Sequence, residues 1–211
     1  MTSNNWVVTK TGSVISLRQV NSIGDFHQLQ FNMLGNEFES IFLPSAIVIV
    51  EGDSDASFIA KATKLHIPAR KVAIVRAGGD GEVQNKLNVL KETFGAIETS
   101  PYRDRLFVVL DRRHSSRVSR LHGQGVPRDN IVTWSQNGIE YLYPSVLVAE
   151  VFRCDVAELA KCTFESDPIE FNGIKMSKKE MAQVISDRMT ESHPLHSELG
   201  ALIDRIRAVC K

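Results

Sequence analysis

Three carboxylates sit where chemistry could be done. Glu51 directly follows the apolar run Ala46 to Val50, Asp55 lies four residues further on, and Asp111 directly follows the apolar run Leu106 to Leu110. If those runs are strands, their carboxyl ends are where an open α/β sheet binds its ligands. Carboxylates converging there suit a hard cation such as Mg²⁺, which takes oxygen ligands and keeps several waters. Such an ion can polarise a phosphodiester and activate a water, and two ions can clamp the attacking and leaving oxygens. Taken singly, each acid reads more readily as a helix cap or a solvated turn. Only the repetition after two separate apolar runs points to a site.

The elements that must position these acids are legible in outline. Trp6 to Thr9 and Ser13 to Leu17 are β-prone runs around Thr11-Gly12 and predict a hairpin. Phe26, Leu29, Met33, Leu34, Phe38, Ile41 and Phe42 recur at helical spacing, and Pro44 closes that stretch. Ala46 to Val50, Val72 to Val75 and Leu106 to Leu110 are continuous apolar runs, the pattern of strands buried on both faces, and Asn130 to Trp134 predicts a fourth strand. Asp53 to Leu65 reads as a helix with Asp53 or Ser54 as its cap. Gly78 to Gly81 reads as a turn, before a helix with Val83, Leu87, Leu90 and Phe94 inward. The alternation predicts an α/β fold, a parallel sheet flanked by helices. After Tyr143 the pattern turns mostly helical. A capping box at Ser177 to Glu180 opens a helix with Met181, Val184, Ile185 and Met189 inward, and a last helix carries Leu199, Leu202, Ile203, Ile206 and Val209. The expected divisions are 1–44, a hairpin with a lead-in helix; 45–143, the core; and 144–211, a helical C-terminal part.

Composition narrows the class without naming a partner. Of 211 residues 43% are apolar, enough for a sizeable core, and Lys+Arg and Asp+Glu both number 25, so only local clustering can mark a charged partner. Cys154, Cys162 and Cys210 form no CxxC pair. No membrane-length apolar run occurs, and Met1 to Asn5 lacks a signal pattern. The expectation is a cytoplasmic chain with reduced thiols and no membrane contact.

Together these residues resemble the Toprim domain of OLD (overcoming lysogenization defect) family nucleases, as a stand-alone subunit or C-terminal part. Ile47 to Asp55, an apolar strand ending in Glu-Gly with an Asp four after the Glu, looks like the first Toprim motif. Ala77-Gly78-Gly79 is similar to the turn after the second strand, and Phe107 to Arg113 sits where the family has a strand ending in Asp-x-Asp. Ile139-Glu140-Tyr141-Leu142 is similar to a later segment whose Glu is a further ligand candidate, and Gly173 to Lys179 matches the downstream lysine region. The resemblance spans about Ala46 to Met189. It implies a nuclease that uses Mg²⁺, or Mn²⁺, on DNA or RNA. Glu51, Asp55, Asp111 and Glu140 would be ligands, with Glu51, Asp55, Asp111 and Lys178 as the catalytic set. It also implies an ABC-type ATPase partner and a role in anti-phage defence. No GxxxxGK[ST] motif occurs in the chain, so the expected ATPase is a separate subunit. A homo-oligomer is a further expectation.

One position departs from the pattern. Arg113 stands where the family carries its second aspartate, and a guanidinium opposes a cation rather than ligating it. Either one ion suffices, or the chain is a catalytically lapsed Toprim subunit that binds an ATPase partner or nucleic acid. His114 is a substitute ligand better suited to Mn²⁺, or simply a surface residue. Around Asp111 stand Arg103, Arg105, Arg112, Arg113, Arg117 and Arg120. Arg112, Arg113 and Arg117, with Lys179, are the candidates for holding nucleic-acid phosphates. Lys178 and Lys179 open a helix, where cations oppose the macrodipole, an unfavourable placement that asks for a reason. Trp134 and Tyr141 could stack on bases, though packing under the sheet is the commoner use.

Overall fold

The computed structural model describes residues 6–19, 44–78 and 82–210. The amphipathic stretch from Phe26 to Phe42 and the turn residues Gly79 to Gly81 lie outside the described residues. Strands β1 (Trp6–Thr11) and β2 (Val14–Gln19) pair antiparallel around Gly12 at φ 64°, the hairpin that the sequence predicts.

The centre is a four-stranded parallel sheet in the order β4-β3-β5-β6, made of β3 (Ala46–Val50), β4 (Val72–Arg76), β5 (Leu106–Leu110) and β6 (Ile131–Thr133). Every residue of β3 and β5 is buried, which is why both runs are apolar without alternation. Successive side chains still point to opposite faces. Ala46, Val48, Val50, Phe107 and Val109 enter one core, and Ile47, Ile49, Leu106, Val108 and Leu110 enter the other. Each fully buried aliphatic or aromatic side chain contributes roughly 1.5–3 kcal/mol.

Helix α1 (Asp53–His66) covers the first face and α2 (Glu82–Phe94) the second. The opposite placement follows from topology. The chain leaves β3 for β4 on one side of it, then returns past β3 to β5, and right-handed crossovers in opposite directions put their helices on opposite faces. The short α3 (Val118–His122) joins α2 on the second face. The first face is the thicker one. There α4 (Ser145–Phe152), α5 (Lys178–Arg188) and α6 (Ser197–Val209) pack with α1 into one core around Phe58, Phe152, Ile185 and Ile203. This is the α/β arrangement, a parallel sheet flanked by helices, expected from the sequence.

Two local details differ from expectation. Neither Asp53 nor Ser54 caps α1; Gly52 takes that position in extended backbone, and Asp53 becomes the first helical residue. The C-terminal part also contains a hairpin, β7 (Ile169–Phe171) and β8 (Ile174–Met176), turning at Asn172 (φ 49°) and Gly173 (φ 72°). That left-handed pair is the signature of a two-residue hairpin turn, and Asn-Gly is its preferred sequence. The capping box at Ser177 forms as expected, with the Ser177 hydroxyl accepting from the Glu180 amide. The β8 strand delivers the chain straight into α5, fixing where Lys178 begins.

Candidate functional site

The order β4-β3-β5 reverses direction at β3, so a crevice opens beyond the carboxyl ends of β3 and β5, where their helices diverge to opposite faces. Glu51 and Asp111 are the first residues past those two ends. They are joined directly: the Asp111 backbone N–H donates to Glu51 Oε2 at 2.8 Å. The other oxygen, Glu51 Oε1, lies 2.6 Å from His114 Nδ1 and 3.4 Å from Arg117 Nη1. His114 therefore turns inward with its side chain only 15% exposed, which corrects the surface reading and makes it a neighbour of Glu51. These groups form the rim of the site.

The floor is deeper. Asp55 belongs to the buried stripe of α1, which runs Asp55, Phe58, Ile59, Ala62 and Thr63 at i, i+3, i+4, i+7, i+8 spacing. A carboxyl there has no solvated escape, and Asp55 is 8% exposed. Burial pushes its pKa up to about 7, helped by the negative charges of Asp111, Glu140 and Glu51, while the Trp134 indole N–H eases the charged form. Asp111 is raised as well, by burial and by Glu51, with Arg113, His114 and Lys178 pulling the other way. Neither aspartate makes a side-chain cap hydrogen bond.

Glu140 completes the floor at 3% exposure. It comes from a 3₁₀ turn, Ile139–Leu142, entered through Gly138 at φ 112°. The positive φ calls for glycine at 138, and a Cβ there would also push on Glu140 Oε2. Burial raises the Glu140 pKa and the Lys178 ammonium, 3.5 Å from Oε2, lowers it. This pairing supplies the reason for a lysine at the opening of α5. Lys179, by contrast, is 78% exposed and lies 4.0 Å from Asp53, which also meets Arg76. It stands outside the acid group. Arg112 and Arg113 are exposed at the rim, Arg113 with its backbone N–H on Asn137 Oδ1 at 3.0 Å.

Two floor residues carry polar atoms that sequence reasoning did not assign to the site. Trp134 is buried, as the packing reading expects, yet its N–H faces Asp55. The Tyr143 hydroxyl is buried without a hydrogen-bond partner among the described residues, and that burial, with Glu140 and Asp55 adding to it, raises its pKa. For Tyr143 the available sequence signal is an aromatic just after an acid-bearing turn, as in Glu140 to Tyr143. Tyr141 instead packs its ring edge against Phe164, 5.0 Å between centroids.

The charge and the oxygen-only chemistry of Glu51, Asp55, Asp111 and Glu140 fit a hard divalent cation that retains its own waters. A closed cage does not exist: among the described residues no three acid, imidazole or thiol side chains gather as ligands of one ion. No helix among the described residues is long and apolar enough to cross a membrane.

Comparison with known proteins adds a distant structural likeness. No protein-family model and no curated protein matches the chain. The chain is similar to the C-terminal region of the Xanthomonas campestris pv. campestris OLD protein. One structure of that region is 13% identical, with 81% of this chain and 97% of the other covered at a TM-score of 0.47. A second is 12% identical, with 81% and 98% covered at 0.43.

Proposed function

We propose that this chain is a divalent-metal-dependent nuclease that hydrolyses phosphodiester bonds in DNA or RNA. The observation that carries the reading is Asp55: a buried carboxyl, raised to about 7, facing Asp111, Glu140 and Glu51 at the switch point of a parallel sheet. An anionic floor of this kind favours a cation. Glu51, Asp55, Asp111 and Glu140 are the acids from which Mg²⁺ or Mn²⁺ would draw its protein ligands, fewer than three at a time as the side chains stand, with waters completing the shell. When bound, the metal polarises the phosphodiester and lowers the pKa of a water.

The chain's own residues do the rest. Glu51 is held rigidly by the Asp111 amide, His114 and Arg117, so its carboxylate is oriented before substrate arrives. Lys178 brings an ammonium to the floor, where it stabilises negative charge building on a phosphate. Arg112 and Arg113 at the rim would contact flanking phosphates, with Lys179 further out. On the resemblance to OLD nucleases we extend the proposal to an ABC-type ATPase partner and an anti-phage role.

A second reading rests on the same charges. Lys178 beside Glu140, and His114 and Arg117 beside Glu51, already supply positive charge. A site neutralised from within the chain describes a lapsed subunit that binds an ATPase partner or nucleic acid. Incubation of the purified chain with plasmid DNA and bulk tRNA, each with Mg²⁺, Mn²⁺ or EDTA, separates the two. Cleavage is expected to require metal and to fall by at least about a hundredfold in Glu51→Gln and Asp111→Asn. Cleavage that persists in EDTA, or in both variants, sinks the metal-nuclease reading.

A further inference from the structure

The last helix, α6, carries none of the four acids, yet its first turn grips the loop that follows β6. The two oxygens of Glu198 accept from two donors of one residue. Oε2 takes the Ser135 backbone N–H at 2.8 Å, and Oε1 takes the Ser135 hydroxyl at 2.6 Å. Bonds to a carboxylate at such distances are roughly twice as strong as neutral ones. We propose that Glu198 is a positioning residue of the site: through Ser135 it fixes Trp134, and through Trp134 the carboxylate of Asp55. The use of that hold for a cation rests on the metal-nuclease reading; the hold itself does not.

The grip is rigid at its source. Leu199, the next residue, is fully buried, and Leu202, Ile203 and Ile206 continue the same stripe into the first-face core. His196 Nδ1 lies 4.0 Å from Glu198 Oε1, but it accepts from the Glu198 backbone N–H at 3.3 Å and so does not compete for the carboxylate. The loop is tied on its other side as well. The Trp134 N–H donates to the Leu110 carbonyl at 3.0 Å, the Arg112 N–H to the Gln136 carbonyl at 3.4 Å, and the Arg113 N–H to Asn137 Oδ1 at 3.0 Å. Residues 134–137 therefore span from the turn that carries Asp111 to the helix that carries Glu198.

Trp134 is held at both ends of its backbone, by Leu110 through its own N–H and by Glu198 through the next one. Its side chain is 1% exposed and shares a core with Phe58, which stands three residues after Asp55 on α1. The indole N–H faces Asp55 from that fixed position. A buried carboxyl with one fixed donor before it has its direction set by that donor. A carboxylate in the first turn of α6 also suits the helix dipole, but that contribution acts on stability and is indifferent to Asp55.

The test is Mn²⁺ binding to the full chain without nucleic acid, read from the EPR signal of the free ion. Glu198→Ala is expected to weaken Mn²⁺ by about tenfold, and Glu198→Gln, which keeps one oxygen for Ser135, to recover part of that loss. In an Asp55→Asn background Glu198→Ala is expected to cost little more, because the two residues act through one another. Should Glu198→Ala not fold, Ser135→Ala removes one of the two bonds from the other side and takes its place. A Glu198→Ala chain that melts lower in EDTA yet binds Mn²⁺ as wild type does overturns the proposal, since the residue would then serve only the helix start. The same fractional loss with and without Asp55 overturns it too. The indole N–H resonances of Trp6 and Trp134, followed by NMR in EDTA, read the hold without any metal. Glu198→Ala and Asp55→Asn are each expected to shift the Trp134 signal and leave Trp6 in place; a Trp134 signal unmoved by Glu198→Ala overturns the proposal. Wild type that takes up no Mn²⁺ sinks the metal-nuclease reading instead, and the indole resonances then decide the positioning role on their own.

Discussion

The rim and the floor of the site are built on opposite electrostatic plans. At the rim, Glu51 has a backbone N–H, an imidazole and a guanidinium within reach, all from one stretch of chain between Asp111 and Arg117. On the floor, Asp55 and Glu140 are buried more deeply, and among the described residues one cation, Lys178, forms an ion pair there, with Glu140 rather than Asp55. The consequence appears in Asp55, whose pKa climbs to about 7. The rim is compensated by its own chain, whereas the floor holds charge that the chain leaves uncompensated. A protein that needed only stability would fill such a floor with apolar side chains.

The largest effect is expected from removing the floor's single cation. Lys178→Met leaves the Glu140 carboxylate buried and unpaired, and breaking a buried pair from one side costs about 3–5 kcal/mol. For a domain of this size that lowers Tm by roughly 6–20 °C, measurable by differential scanning calorimetry in EDTA. The double variant Lys178→Met/Glu140→Gln should recover most of the loss, because the orphaned charge is gone. A single variant that melts with wild type would show the floor to be solvated, and the contrast with the rim would collapse.

Much of this arrangement was legible in the sequence. The unbroken apolar runs of β3 and β5 declare two buried parallel strands, and an acid placed directly after each must then stand at the sheet's carboxyl end. Asp55 was legible too, since it occupies the first position of a helical stripe that is otherwise core. What escaped was set by long-range packing. Nothing local tells that His114 turns inward onto Glu51, 63 positions earlier in the chain, rather than to solvent. The Tyr143 hydroxyl feels the charges of Glu140 and Asp55 from a buried position that no local pattern announces. The β7–β8 hairpin is a different kind of miss: Asn172-Gly173 between apolar neighbours is a strong turn signal, masked by the helical patterns on either side.

A smaller effect follows from pH. The folded-state pKa of Asp55 lies above its ordinary value of 3.8, so the folded chain binds that proton more tightly than the unfolded chain. The resulting stabilisation is complete below about pH 4 and is lost as pH rises through about 7. Asp111 and Glu140 are shifted in the same direction and add to it. In EDTA, Tm should therefore fall between pH 5 and pH 8, by an amount equivalent to roughly 2–3 kcal/mol. Asp55→Asn should flatten that fall. At pH 8, saturating Mg²⁺ or Mn²⁺ should reverse it, since an ion at about a hundred times its Kd contributes about 2.7 kcal/mol. A metal-free chain more stable at pH 8 than at pH 5 would contradict the picture of an uncompensated floor.

The smallest effect separates Lys178 from its neighbour. Both lysines open α5, and the local sequence treats them alike. Lys178 turns to a carboxylate that is 3% exposed, while Lys179 is 78% exposed and meets Asp53 at the 4.0 Å limit of an ion pair. Asp53 keeps Arg76 whether or not Lys179 is present. Exposed pairs of that kind contribute less than about 1 kcal/mol and fade with salt. Removing a cation from the first turn of a helix also relieves its conflict with the macrodipole, by about 0.3–1 kcal/mol, so the two contributions nearly cancel. Lys179→Ala should therefore leave Tm within about 2 °C of wild type, against the large loss in Lys178→Met. Equal losses in the two variants would mean that charge at the start of α5, rather than burial of Glu140, sets the energetics of the floor.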